Sequence, residues 1–336
     1  MYCSRLTKLS QIKISIVGLS YNGKDIVSEM IKSIYDSSLS KEELEIIIID
    51  NASTDGTPDI IRKNFPAVKV IARNKNIGSG AHNDALKIAK GEYLLFTDSD
   101  MKFEKDCLKN FYITANHLGE NIILCPTLYE YNNNTKLMPS YSILSRSFYS
   151  DFVKTKNAHL KPQEVFMTGF PFIHRNTARK IGYIFDKDYF LYGEDFDLCL
   201  RIRLNGFKLY TCPSAIMYNL PPTQTVKKYI SQIRITYYLE RNLLITFFKI
   251  CSTKTILLYL PYVFVVRILA LLKDLFTLNI KMFQSRIRSY YWVLSHFNLV
   301  LRKRKDAQKT RVKSDKEIFS IANDKYFIKS KLGLLK

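Results

Sequence analysis

Four apolar runs separated by helical patterns constrain this chain more than any other feature. Residues 12–20 (IKISIVGLS), 44–50 (LEIIIID), 68–73 (VKVIAR) and 92–97 (EYLLFT) are dominated by apolar and β-branched residues. Between them DIVSEMIKSIYDS, TPDIIRKNF and SGAHNDALKIAKG carry apolar residues at helical spacing, with Pro58 in the first turn of the second and Gly91 closing the third. Strands that are apolar on both faces and alternate with helices predict an α/β fold, a mostly parallel sheet with helices on both faces.

Ligands of such sheets lie outside the carboxyl ends of the strands. Three polar clusters fall there: Ser20 to Asn22, Asp50 to Asp55, and Asp98 to Asp100. Turn and cap formation accounts for Ser53 to Gly56 as well as a site does. It does not account for Asp98 and Asp100, which on an extended chain point to one face and repel each other. That pair asks for a positive partner. A further acidic pair, Glu194 and Asp195, opens a helix with apolar Phe196, Leu198, Leu200 and Ile202 that Gly206 stops, and acids at a helix start also suit the helix dipole. Between 126 and 165 the periodicity dissolves, which predicts a long, mobile connection.

The 336 residues allow about two domains, and the charge divides them. Of the net +21, the stretch 221–336 supplies +17, with 23 Lys and Arg against 6 Asp and Glu, so residues 1–220 are nearly neutral. This points to a catalytic domain over 1–220 and a basic, helical region over 221–336 that faces an anionic membrane surface. The longest uncharged apolar stretch there, Thr255 to Val266, has 12 residues and contains Pro261, so these helices are predicted to lie in the interface. A tight hairpin or tilted span with Arg267 snorkelling is one alternative, and ordinary globular helices, which show such stripes too, are another. LRKRKDAQKTR on its own would suit nucleic acid, but a carboxylate-lined pocket would then have no purpose, and no nucleic-acid partner is expected. The six cysteines (Cys3, Cys107, Cys125, Cys199, Cys212, Cys251) lack metal or disulfide spacing and read as reduced thiols. No secretory signal is visible at the N-terminus, and the expected location is the cytoplasmic face of the cell membrane, peripheral or monotopic.

LSYNGKD, IIIDNASTDGT, NKNIGSGAHNDALKIAKGEYLLFTDSD and FLYGEDFDLCLRIRLNGF occur in the order and spacing of family 2 glycosyltransferases, and the last resembles their rhamnosyltransferase-like branch. The resemblance covers residues 12 to about 220 and implies the GT-A fold, a Rossmann-like sheet. It implies that Asp100 is the main ligand of a divalent cation, Mn²⁺ or Mg²⁺, with Asp98 touching metal or ribose. Such cations favour one or two carboxylates plus phosphate oxygens and neutralise a leaving diphosphate. By the same resemblance Ser20, Asp50, Asn51 and Asn83 contact the nucleotide, Asp195 is the catalytic base of an inverting transfer, and Glu194 supports it. Gly78 and Gly80 alone are a weak phosphate-loop signal, since no strand-GxGxxG-helix surrounds them.

The chain departs from the pattern at two places: Asn219 stands where the branch usually has a metal-binding His, and His82 where many members have Arg. The first bears on how strongly the metal is held and the second on the donor. A Gln-x-x-Arg-Trp pattern of processive synthases is missing, which implies transfer of single sugars. The implied donor is a UDP, dTDP or GDP sugar, and the implied acceptor a glycan or lipid-linked glycan. A polyisoprenyl-phosphate glycosyl synthase is the nearest alternative.

Overall fold

The fold was obtained as a computed structural model that describes residues 12–131, 133–137, 142–145, 147–152, 161–166, 169–221 and 231–321. Cys3 lies outside them, and the other five cysteines are free and buried. The predicted alternation is present. Strands β1 (Ile14–Ser20), β2 (Leu44–Asp50), β3 (Lys69–Ala72) and β4 (Tyr93–Asp98) are joined by helices α1 (Val27–Tyr35) and α2 (Thr57–Asn64) and by a 3₁₀ helix over Gly78–Lys87. These four strands pair in parallel in the order β3-β2-β1-β4. All β1 and β2 side chains but Leu19 and Leu44 are buried, so both sheet faces are covered.

The second half of the sheet is mixed. After the short β5 (Met101–Phe103) and α3 (Cys107–Leu118), β6 (Ile122–Glu130) joins the sheet through β10 (Phe172–His174), which runs antiparallel to both β4 and β6. In place of one long connection, the described part of 126–165 continues β6 and adds β7 (Asn133–Leu137), β8 (Ser142–Leu144) and β9 (Ser150–Phe152). Helices α4 (Arg175–Ile181) and α5 (Glu194–Leu204) precede β11 (Lys208–Asn219), which pairs in parallel with β6 and antiparallel with β5. Helix α5 is buried all round from Phe196 to Leu204 instead of along one stripe.

The C-terminal region is helical: α6 (Gln232–Ile250), α7 (Thr253–Phe276), α8 (Ile280–Ser295), α9 (Phe297–Lys309) and the single turn α10 (Asp315–Ile318). Here two sequence expectations need correction. The FFKI stretch of α6 does not face lipid: Leu243, Ile245, Phe247 and Ile250 are fully buried in the cluster that also holds Val17, Ile47 and Phe96 of the sheet. Its polar residues are buried too, because partners far away in sequence receive them. Arg267 does not snorkel. It packs inward on α7 with its guanidinium over the Tyr149 ring, donates to the Ser147 carbonyl at 2.9 Å and lies 3.6 Å from Glu240.

Helix α7 is inverted relative to a soluble surface helix. Val263, Arg267 and Asp274 face the protein, Asp274 meeting Arg286 of α8 at 2.8 Å. Leu257, Leu258, Phe264, Val265, Leu269 and Phe276 face outward, between 51% and 81% exposed. Among the described residues α7 is the one helix long and apolar enough to cross a membrane by length and composition. Much of the basic α9 stretch is committed inside the protein. Arg304, Gln308 and Arg311 donate to the carbonyls of Phe248, Lys249, Ile250 and Cys251. They thereby satisfy the otherwise orphaned C-terminal end of α6.

Candidate active site

A cavity of about 480 Å³ opens at the carboxyl ends of β1, β2 and β4, where the sequence places its polar clusters. Asn51, Asp98, Asp100, Glu194 and Asp195 line it. The strand β4 ends at Asp98, and Asp100 lies in the turn that follows, so the two acids converge through that turn and not through strand alternation. Asp98 is open to the cavity yet ringed by protein, which raises its carboxyl to about 6. Burial, with the Asp98 charge added, raises Asp100 to about 7.

Across the cavity, Gly193 takes φ +85° and starts α5, presenting Glu194 and Asp195. Glu194 accepts from the Ser79 hydroxyl at 2.9 Å, and burial, with a contribution from Asp98, raises it to about 7. Burial, then Glu194 and Asp98, push Asp195 well above the usual carboxylate range. Four carboxyls with raised proton affinity in one cavity form a site that stores negative charge at a cost, and a bound cation relieves that cost.

Whether the residues suit a divalent cation can be read from their unused oxygens. Asp100 Oδ1 and Asn219 Oδ1 are buried without a hydrogen-bond partner among the described residues. The two stretches are adjacent: Asn219 of β11 pairs with Met101, and the Leu220 N–H donates to the Asp100 carbonyl at 2.7 Å. Among the described residues no group of three or more His, Cys, Asp or Glu side chains can hold a metal. The donor set therefore fits a hard cation completed by phosphate oxygens, not a closed protein cage.

Of the other expected residues, Asn51 lines the cavity and Ser20, Asp50 and Asn83 do not. Ser20 and Asp50 are buried at the ends of paired strands, where the Asn51 N–H donates to the Ser20 carbonyl at 2.8 Å and Asp50 accepts from the Ser53 N–H at 3.0 Å. Each keeps one buried oxygen, Ser20 Oγ and Asp50 Oδ1, without a partner among the described residues. Asn51 also ties the 76–78 turn, donating to Asn76 Oδ1 and the Gly78 carbonyl and accepting from Ile77 N–H. Asn83 does not line the cavity. Its carboxamide accepts from Ile184 N–H at 2.8 Å and donates to the Phe185 carbonyl at 2.7 Å, holding the 184–185 segment. His82 lines the wall with its ring nitrogens 3.0 and 3.1 Å from the Ser79 and Thr97 carbonyls, and burial lowers its proton affinity.

Sequence reasoning missed what holds the Glu194 and Asp195 end of the cavity in place. The segment before α5 puts Phe190 at φ +62° and Tyr192 at φ +58°, a region costly for non-glycine residues. Its carbonyls are gripped from α6: the Asn242 amide donates to those of Tyr189, Leu191 and Tyr192 at 3.0, 3.1 and 2.6 Å, and Arg241 donates to those of Asp188 and Tyr189 at 2.8 Å. Gly78 lets the 3₁₀ segment approach from the other side, for a Cβ there would fall 1.7 Å from the Phe190 carbonyl oxygen. Beneath lies a buried ion cluster: Lys249 pairs with Asp186 at 2.9 Å and with Asp197, which Arg201 meets at 2.8 Å. The polar residues ERN and K inside the apolar pattern of 239–250 were the available signal.

The family model for glycosyl transferase family 2 matches residues 15–182. The chain belongs to glycosyltransferase family 2. It is 45% identical over 106 residues to a poly(ribitol-phosphate) beta-glucosyltransferase of Bacillus spizizenii, a match covering 30% of this chain and 17% of that protein. It is 26% identical over 240 residues to a dolichyl N-acetyl-alpha-D-glucosaminyl phosphate 3-beta-D-2,3-diacetamido-2,3-dideoxy-beta-D-glucuronosyltransferase of Methanococcus voltae, covering 69% of this chain and 74% of that one. The crystal structure of GalNAc-T7 with UDP, GalNAc and Mn²⁺ superposes with a TM-score of 0.64 at 16% identity, over 95% of this chain and 57% of that one, and shows the shared GT-A fold. None of these three is named a rhamnosyltransferase. This family 2 chain is thus similar to proteins of several named sugar specificities.

Proposed function

We propose that this chain transfers a single sugar from a nucleoside diphosphate sugar to a hydroxyl of a glycan or lipid-linked glycan, with inversion at the anomeric carbon. One observation supports this above others: Asp98 and Asp100 face Glu194 and Asp195 across one cavity at the carboxyl ends of the strands. The acceptor oxygen bonds to the anomeric carbon as the bond to the diphosphate breaks. The bonding pair leaves with the nucleoside diphosphate, and the acceptor proton goes to the Asp195 carboxylate. High proton affinity suits Asp195 to that task once it is ionised, and Glu194, titrating near neutrality, lessens the charge beside it when protonated. Asp98 and Asp100, with Asn219 adjoining, would hold Mn²⁺ or Mg²⁺, which when bound neutralises the leaving diphosphate.

The relatives' names, a glucosyl and a glucuronosyl-type transferase, favour a sugar of the gluco series over a rhamnosyl donor. The test is a panel of UDP, dTDP and GDP sugars, scored for hydrolysis and transfer with and without EDTA. EDTA is expected to abolish transfer, and Asp100→Ala to weaken UDP binding in the presence of Mn²⁺. Full activity in EDTA would remove the metal from this reading.

Residues 12–220 carry the chemistry in this reading, and the helices after 231 both complete the core and meet the cytoplasmic face of the membrane. The support is the inverted α7, polar inward and apolar outward. Full-length protein is expected to sediment with anionic vesicles even near roughly 1 M salt, where charge is screened within about 3 Å. Leu257→Asn, Phe264→Asn and Leu269→Asn together are expected to abolish that binding while UDP binding persists. Sedimentation unchanged by the triple substitution would rule α7 out as the contact.

A further inference from the structure

A second cavity, of about 620 Å³, lies between α6 and α8. Arg234, Lys281 and Arg288 line it together with the rings of Tyr237, Tyr238 and Trp292, and among the described residues no Asp or Glu takes part. The neighbouring cations are committed: Arg286 is bound by Glu240 and Asp274, and Arg241 by backbone carbonyls. Lys281 and Arg288 form no ion pair among the described residues and are exposed.

The groove joins the carboxylate cavity at its base end. Arg234 lines both, and Tyr238 stacks on Phe190 of the carboxylate cavity with centroids 5.3 Å apart and planes at 28°. Two adjoining compartments of opposite charge sort one ligand from another. The acidic one suits a cation-bound diphosphate, and the basic one an anion that arrives without a metal. Aromatic walls between the cations suit the apolar faces of sugar rings. Tyr291 of the lining is 71% exposed, and the same helix, which packs against α7, leaves Ile287 and Leu294 42% and 73% exposed.

We infer that the α6/α8 groove binds the acceptor through a phosphate or diphosphate group, holding a phosphate-bearing glycan with its free hydroxyl directed at Asp195. This rests on the glycosyl-transfer reading above. Guanidinium and ammonium groups supply charge-assisted hydrogen bonds to the phosphate oxygens, and the rings hold the sugar between phosphate and reacting hydroxyl. A lipid carrier and a soluble phosphodiester glycan present the same chemistry.

Trp292 is the one tryptophan of the chain, so its emission reports on this groove directly. The full chain is titrated at fixed pH with N-acetylglucosamine 1-phosphate, with a short polyprenyl-diphosphate N-acetylglucosamine, and with neutral octyl N-acetylglucosamine. Both phosphate ligands are expected to shift the emission at concentrations at least about tenfold below the neutral one. The double variant Lys281→Gln/Arg288→Gln is expected to remove that preference and leave UDP-sugar hydrolysis unchanged. Equal binding of the two phosphate ligands assigns recognition to phosphate whatever the carrier, while a further gain for the polyprenyl ligand adds the apolar lip. A neutral ligand that binds as well, or a double variant that keeps its phosphate preference, overturns the proposal. Loss of donor hydrolysis in the unsubstituted chain would instead point to failure of the glycosyl-transfer reading.

Discussion

Asp195→Asn is expected to lower turnover by about 10² to 10⁴ while leaving UDP-sugar binding almost unchanged, because the amide keeps the shape and cannot accept the acceptor's proton. Asp195 stands at the first turn of α5, across the cavity from Asp98 and Asp100, so its replacement by the amide leaves in place both side chains proposed to hold the metal and diphosphate. Measuring kcat and KM separately for donor and acceptor checks this. A parallel loss of donor affinity would mark Asp195 as a binding residue. Glu194→Gln should be the milder change, since its Ser79 contact survives in the amide; the reverse order would exchange the two roles.

The second large effect is on stability. Lys249→Met leaves Asp186 and Asp197 buried without their shared cation and is expected to cost about 3 to 5 kcal/mol, read from the denaturant midpoint at neutral pH. The pH dependence gives the sign. Burial alone would raise Asp186, but Lys249 and Lys303 outweigh it and hold the carboxyl far below its ordinary 3.8. Its contribution in the unsubstituted protein is therefore complete above that value and is lost only as pH falls through the lower folded value. Lys249 is raised, so its contribution is complete below its ordinary 10.5 and fades as pH rises through the folded value. In the variant the remaining carboxylates are relieved by protonation, and the difference between the two proteins should shrink as pH approaches 4. A difference that stays constant from pH 7 to 4 would mean the loss comes from packing and not from charge.

The parallel half of the sheet was legible because its signals are local. Ile14–Ser20 and Leu44–Asp50 announce buried strands within their own seven residues, and the polar residues that follow fall at one sheet edge by topology alone. The convergence of Asp98 with Asp100 was legible too, though a turn and not strand alternation produces it. Interactions across long separations were not legible. The segment 79–91 reads as a regular helix, but Gly78, Gly80 and Asn83 fit it against residues 184–190, and it winds as 3₁₀ up to Lys87. The α6 stretch reads as interfacial because its apolar blocks are interrupted by charges, and nothing near it in sequence shows that Lys249 meets Asp186 or that Asn242 meets Tyr192. Apolar periodicity tells that a face is covered; it does not tell whether protein or lipid covers it.

The Asn242 grip bears on how such proteins can be recombined. One carboxamide holds three carbonyls of the segment that leads into Asp195, and that carboxamide belongs to a helix beyond the region that the family model spans. A chimera joined at the end of β11, with a catalytic half from one parent and helices from another, would pair a strained segment with a foreign clamp. Crossovers placed after Cys251 keep that segment and its clamp from the same parent, but they part the last carbonyls of α6 from Arg304, Gln308 and Arg311, so residues 188–311 recombine only as one block.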